Sequence, residues 1–215
     1  MRDPKLDHAT MVTRRESMLN VAYHLFTERS ITAVTLEEIA KEAGCGKKTL
    51  LRYYDSKPGL VIAVATWKWE KFQEENQKRR PNADIEKMTA AEIFEFYLDS
   101  FLELYRDHKD LLRFNQSFNV YVQSEHIDAG MLQPYQKMIE ELKEQFHEMY
   151  LKAMQDETLR TDEGEEKMFS KTLHLMLAAV TRYAVGLVYI PENGFDAMEE
   201  LETMKEMLLE RYRKV

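Results

Sequence analysis

The chain has 215 residues and a mass of 25.5 kDa, enough for one large or two small domains with a hydrophobic core. Its 7 Gly and 5 Pro are few and 44% of its residues are hydrophobic, which argues against a sheet-rich or disordered chain and predicts an all-α fold. The net charge of −8 argues against a general nucleic-acid binder, yet residues 1–60 hold ten Lys/Arg against eight Asp/Glu, so this part alone suits phosphate.

The first two helices are predicted from apolar spacing and from a capping motif. Apolar residues recur on one helical face through residues 18–26, and polar residues 28–30 close this first helix. Thr35-Leu36-Glu37-Glu38 is an S/T-x-x-E capping box, which predicts that Thr35 caps a short second helix. We expect Gly44 to end that helix and the next two residues to form a tight turn.

A third short helix is predicted from Lys47 to Tyr54, and a long fourth helix follows it. Ser56 is a suitable N-cap for the fourth helix, which should continue to about residue 80, where Pro81-Asn82 stops it. We expect this helix to bridge two domains, residues 1–60 and residues 61–215.

The second half of the chain is predicted to form five more helices. They are expected at about 86–106, at 108–123, along an apolar stripe from 135 to 153, at 165–190 and at 195–213. Helix eight is apolar on nearly every side from Leu173 to Ile190, which predicts burial in a core or an interface. Two such helices per subunit would form a two-fold four-helix interface, so we predict a homodimer through helices eight and nine.

The second and third predicted helices have the spacing of a helix-turn-helix. The second helix of such a motif enters the DNA major groove, about 12 Å wide, and presents long hydrogen-bond donors there. Lys48 and Arg52 are four residues apart and share one face, whereas Leu50 and Tyr54 are placed to pack inward. On spacing alone, an ordinary helical hairpin with solvated lysines is an equal alternative.

The residues of this segment carry more information than its spacing. Val34-Thr-Leu-Glu-Glu-Ile-Ala-Lys-Glu-Ala-Gly44, then Lys48-Thr-Leu-Leu-Arg-Tyr-Tyr-Asp-Ser-Lys57 and Leu60, closely resemble the N-terminal domain of the tetracycline-repressor (TetR) family. The resemblance covers about residues 14–65 and implies an all-helical repressor. It implies a homodimer that binds a palindromic double-stranded DNA operator and releases it when a small molecule enters the C-terminal domain. We therefore predict a ligand-responsive transcriptional regulator that is not an enzyme and needs no cofactor or metal.

The resemblance also implies particular DNA contacts. Thr35 would meet a phosphate at the start of the second helix, and Lys57 would contact the DNA backbone at the start of the fourth. The recognition helix would be lined by Lys47, Lys48, Thr49, Arg52 and Tyr53.

Three positions depart from the family pattern. Leu51 stands where the family usually has a phosphate-contacting Tyr. Gly46 replaces the usual Ser or Thr N-cap of the recognition helix, and Gly caps nearly as well. Pro58-Gly59 replaces a usual acidic pair in the first turn of the fourth helix.

An aromatic surplus in helices five to seven predicts that an effector binds between helices five and eight. Antiparallel helices cannot close-pack so many rings without gaps, and a gap lined by rings suits a mostly apolar small molecule. The alternative is that these rings fill the core and that the polar residues among them are simply hydrogen-bonded. The predicted pocket residues are Tyr97, Phe101, Phe114, Asn115, Phe118, Tyr121, Phe146, Tyr150, His174 and Arg182.

Two rival functions stay open. Glu144-Gln-Phe-His147 is an E-x-x-H pattern of carboxylate-bridged metalloenzymes, although no second copy occurs. Leu51 keeps open a helical scaffold that no longer binds DNA.

The single Cys45 argues against disulfides, and we find neither a membrane span nor the apolar run of a signal peptide. We expect a cytoplasmic protein without membrane association.

Overall fold

The structure, a computed structural model, describes residues 4–79, 87–189, 191 and 194–214, with the backbone alone at residues 4–10 and 79. Within these ranges the chain is helical and no β-strand occurs, which confirms the predicted all-α fold. None of the described helices is long and apolar enough to cross a bilayer. The helices are α1 (Pro4–Arg29), α2 (Leu36–Glu42), α3 (Lys47–Tyr54), α4 (Lys57–Arg79), α5 (Ala90–Asp107), α6 (Lys109–Ser124), α7 (Gln133–Asp156), α8 (Glu165–Val185) and α9 (Ala197–Tyr212), with a short 3-10 turn at Ala129–Leu132.

The N-terminal helices begin and end where their capping residues predict. Thr35 Oγ1 accepts a hydrogen bond from the Glu38 amide at 3.2 Å, and Glu38 Oε2 accepts from the Thr35 amide at 2.8 Å. This reciprocal pair is the predicted capping box. Ser56 Oγ accepts from the Gly59 amide at 3.1 Å, which confirms Ser56 as the cap of α4. The predicted helix stop at Pro81-Asn82 lies outside the described residues.

Two predicted helix boundaries in the second half were wrong. Helix five was expected from residue 86, but α5 begins at Ala90 because Thr89 and Glu92 form a second capping box. Helix eight was expected to reach residue 190, but α8 ends at Val185, since Gly186 has a φ of 108° that breaks the helical backbone.

The described chain packs as two units, each with its own core. The N-terminal unit comprises Met1–Phe72 and Phe114–Met138, and the C-terminal unit comprises Gln73–Arg113 and Ile139–Val215. From Phe114 onward α6 therefore belongs to the N-terminal unit, where Phe114, Phe118 and Tyr121 join the core of the helix-turn-helix. The division into functional domains at residue 60 stays a prediction.

Candidate nucleic-acid interface

The inner face of α3 fixes this helix against α1 and α2. Leu50 and Tyr54 are buried in the core of the N-terminal unit, beside Ile39 and Ala40 of α2. The Tyr54 hydroxyl donates a hydrogen bond to the Arg15 carbonyl of α1 at 3.2 Å. Burial raises the pKa of this phenol to about 12, so it stays a donor at physiological pH. The opposite face of α3 is consequently held in a defined orientation.

The outer face of α3 presents Lys48 and Arg52. A helix turns about 100° per residue, which places these two side chains opposite the buried Leu50 and Tyr54, and both are exposed. The Arg52 guanidinium lies 5.7 Å from the centre of the Tyr53 ring. Within the described residues, neither Lys48 nor Arg52 forms an ion pair. Their hydrogen-bond donors are available to an external anion or base edge.

The other predicted DNA contacts are already engaged or lie at the rim of this face. Lys47 Nζ pairs with Glu37 Oε1 at 2.5 Å, and this hydrogen bond holds the pKa of Glu37 below its usual value. Lys57 Nζ donates to a backbone carbonyl of the α1–α2 loop at 3.2 Å, and burial lowers the pKa of this ammonium. The Thr35 hydroxyl is bonded within its capping box, at 2.8 Å from Glu38. Thr49, Leu51 and Tyr53 are half-buried.

The junction between α3 and α4 depends on Gly59, one of the positions that depart from the family pattern. Asp55 has a φ of 59°, and the Ser56 amide donates to the Tyr54 carbonyl at 2.6 Å, which closes a three-residue turn. A Cβ atom added at Gly59 would lie 2.2 Å from that same carbonyl oxygen. Gly59 is therefore required, because the Tyr54 carbonyl occupies the place that a side chain would take.

The predicted effector-pocket residues fall into different parts of the structure. Phe114, Asn115, Phe118 and Tyr121 are buried in the N-terminal unit, whereas Tyr97, Phe101, Phe146 and Tyr150 belong to the C-terminal unit. His174 and Arg182 are exposed on α8, where Arg182 donates to the Gly186 carbonyl at 2.9 Å. The ten residues are therefore divided between the two units, and an effector site among them stays a prediction.

Asn115 is the centre of a buried polar network in the N-terminal unit. Its side chain is 4% exposed, and its Oδ1 accepts hydrogen bonds from Trp69 Nε1 at 3.2 Å and from the Tyr135 hydroxyl at 3.1 Å. These contacts join α4, α6 and α7. Asn115 therefore has a structural role in this unit.

Thr172 is a buried polar residue that sequence reasoning missed. It is 4% exposed in the C-terminal unit, between Met168 and Met176 on the buried face of α8, and its hydroxyl has no hydrogen-bond partner in the described part of the chain. Phe169 of the same helix contacts Phe146 with ring centres 5.3 Å apart. A Thr at i+4 spacing between two Met residues is the signal that could have marked this position.

The histidine of the E-x-x-H pattern on α7 is hydrogen-bonded to a carboxylate of the next helix. His147 Nδ1 lies 2.9 Å from Glu165 Oε2 at the start of α8. Across the ranges that the structure describes, no three His, Cys, Asp or Glu side chains are grouped to hold a metal ion.

A short helix held on its inner face, with two exposed cations on its outer face, is the arrangement expected of the second helix in a helix-turn-helix DNA-binding motif. Residues 18–64 match the family model described as bacterial regulatory proteins, tetR family. An uncharacterised HTH-type transcriptional regulator of Mycobacterium tuberculosis is 44% identical over 48 residues, which are 22% of this chain and 24% of that protein. Nucleoid occlusion factor SlmA of Haemophilus influenzae is 36% identical over 62 residues, which are 28% of each chain. The likeness to the tetR family thus lies in residues 18–64, and the chain spans about a quarter of the length of these curated relatives.

Solved structures share the whole fold at low sequence identity. The transcriptional regulator FadR from Bacillus subtilis, crystallised in complex with stearoyl-CoA, matches with a TM-score of 0.69 and 16% identity over 92% of this chain and 98% of that one. A protein from Saccharomonospora viridis in complex with choline matches with a TM-score of 0.70 and 14% identity over 95% of this chain and 100% of that one. At these identities the likeness establishes the fold alone.

Proposed function

We propose that this protein is a ligand-responsive repressor that binds a palindromic double-stranded DNA operator as a homodimer. The observation that carries the proposal is the outer face of α3, where Lys48 and Arg52 form no ion pair with any described residue. Long cationic donors of this kind bind guanine edges and phosphates in the major groove. Base contacts are assigned to Lys48, Thr49 and Arg52, and backbone contacts to Thr35, Lys47, Tyr53 and Lys57. We also propose that the protein acts in the cytoplasm and has no enzymatic activity.

Exposed apolar residues on α8, α9 and the segment between them support the homodimer. Leu201 and Leu208 of α9 are buried inside the C-terminal unit, so their side chains are already removed from water. Leu175 of α8 and Met207 of α9 are half or more exposed, and Val188 is 99% exposed. Burial against a second copy would remove these apolar side chains from water.

The aromatic residues of the C-terminal unit support a mostly apolar effector. Tyr97 stacks on Phe146 with ring centres 6.4 Å apart, and the Thr172 hydroxyl, which has no partner among the described residues, is buried in the same unit. A ligand with an apolar body and one polar group would contact the rings and satisfy that hydroxyl. The FadR and choline complexes are consistent with ligand binding by proteins of this fold. Effector binding and operator binding then oppose each other through one conformational equilibrium.

The proposal is tested with the DNA upstream of the protein's own gene as the probe. Fluorescence anisotropy is measured for the wild-type chain, for Arg52→Ala and for Lys137→Ala, a matched control because Lys137 is an exposed cation on α7. Arg52→Ala should lose about 1–3 kcal/mol of binding free energy, because a bidentate base contact is removed. Lys137→Ala should bind as the wild type does. Equal affinity of all three proteins would overturn the assignment of α3 as the recognition helix.

A further inference from the structure

An ion pair joins α2 to α3 at the rim of the outer face of α3. Glu37 lies in the first turn of α2 and Lys47 is the first residue of α3, and their charged atoms are 2.5 Å apart. Both side chains reach solvent, with 62% of Glu37 and 46% of Lys47 exposed. The hydrogen bond from Lys47 keeps the pKa of Glu37 below its ordinary value, so the carboxylate is ionised at neutral pH.

The pair lies beside the outer face of α3 rather than at its centre. At about 100° per residue, Lys47 points between the buried Leu50 and the outward Lys48. From that position its ammonium would reach a phosphate and not a base edge. The Glu37 carboxylate beside it would repel the same phosphate, because like charges at short range oppose each other.

We propose that Glu37 is a specificity-determining residue that keeps the affinity for DNA of arbitrary sequence low by neutralising Lys47. The proposal rests on the proposed DNA-binding function and extends it to a residue outside the recognition helix. Phosphate contacts supply non-specific affinity, and each cation engaged steepens the salt dependence by about 0.9 in the slope of log K against log salt. When a lysine that is already paired with a carboxylate binds a phosphate, one ion pair replaces another, so the lysine adds little to the non-specific affinity. Lys48 and Arg52, which have no such partner in the described ranges, retain their base contacts.

The test uses a fluorescein-labelled duplex of mixed sequence, about 30 bp long, titrated at salt concentrations from about 50 to 200 mM. Glu37→Gln should bind this duplex about three- to tenfold more tightly at the lowest salt, with a slope steeper by about 0.9. Glu42→Gln is the matched control, since it removes the same charge from an exposed position on the same helix. It should change the affinity by less than about twofold. The double variant Glu37→Gln with Lys47→Met should lose the gain of the single variant.

The outcomes separate this inference from the proposed function. If Glu37→Gln binds the duplex like Glu42→Gln, or more weakly than the wild type, Glu37 only braces α2 against α3 and the inference is overturned. Circular dichroism of each variant checks that α2 and α3 remain folded. If the wild-type chain binds neither this duplex nor its own upstream DNA at about 50 mM salt, the proposed function itself fails.

Discussion

Replacing Gly59 by Ala should destabilise the helix-turn-helix, although Ala is the better helix former. A Cβ atom at this position would lie 2.2 Å from the Tyr54 carbonyl oxygen and 3.3 Å from Ser56 Oγ, whereas ordinary van der Waals contacts begin near 3.4 Å. Backbone must therefore move by roughly 1 Å, in a turn whose carbonyl already accepts a 2.6 Å hydrogen bond from Ser56. The displacement acts on the residue that ends α3.

The magnitude follows from two opposing effects. Overpacking that forces backbone shifts costs about 1–3 kcal/mol, and Gly to Ala in a helix gains up to about 1 kcal/mol. We expect a net loss of about 1–2 kcal/mol in the free energy of unfolding, which lowers the melting temperature by about 2–8 °C for a chain of this size. Urea unfolding followed by circular dichroism measures this loss directly.

Gly46→Ala is the matched control for Gly59→Ala. Gly46 has a φ of −82°, which Ala adopts readily, and no atom of the described chain lies within 4 Å of an added Cβ. Its cost is limited to the loss of a Gly N-cap, about 1 kcal/mol or less. A Gly59→Ala variant as stable as the wild type would refute the steric reasoning at the α3–α4 junction.

Three further predictions concern the interface, the capping box and the buried hydroxyl. Leu175→Glu and Met207→Glu should give monomers in sedimentation experiments, because each introduces charge into the proposed interface. The control Val120→Glu, at an exposed position of α6, should leave the dimer intact. A monomeric wild type would contradict the proposed interface. Glu38 has its pKa lowered to about 2 by the Thr35 amide and Arg29, so its charge stabilises the fold fully above its ordinary pKa of 4.5 and less as the pH falls toward about 2. The difference in melting temperature between wild type and Glu38→Gln should therefore shrink below pH 4.5, and a constant difference down to about pH 3 would exclude this linkage. Thr172→Val should leave the free energy of unfolding unchanged or raise it by about 1 kcal/mol, because the buried hydroxyl has no partner among the described residues. The control Thr203→Val removes a hydrogen bond to the Glu199 carbonyl and should lower the free energy of unfolding. A larger loss of stability for Thr172→Val than for Thr203→Val would show that the Thr172 hydroxyl has a partner.

Local sequence signals predicted most of the helix-turn-helix. The Thr35–Glu38 capping box and the Ser56 cap are bonds between residues three apart, so the sequence that contains them determines them. The bounds of α3 were also predicted correctly, from the turn residues on either side of it. The inward packing of Leu50 and Tyr54 follows from their i+4 spacing.

Long-range packing could not be predicted from the same signals. The rings of Phe114 and Phe118 are as apolar as that of Phe146, and their periodicity identifies a buried face without identifying the partner that buries it. Only the three-dimensional structure assigns the first two to the N-terminal unit and the third to the C-terminal unit. The Glu37–Lys47 pair was missed for a related reason, because it joins two helices across a turn and has no fixed sequence spacing.

We propose that α3 reads DNA sequence as part of a two-fold dimer. Selection of duplexes from a randomised library by the purified protein, followed by sequencing, tests this for any operator sequence. We predict an inverted repeat with half-site centres about one helical turn, 34–36 Å, or a multiple of it apart, and Arg52→Ala should relax the preference at one equivalent base pair in each half-site. Recovery of no enriched motif, or of the same motif with Arg52→Ala, would contradict the claim.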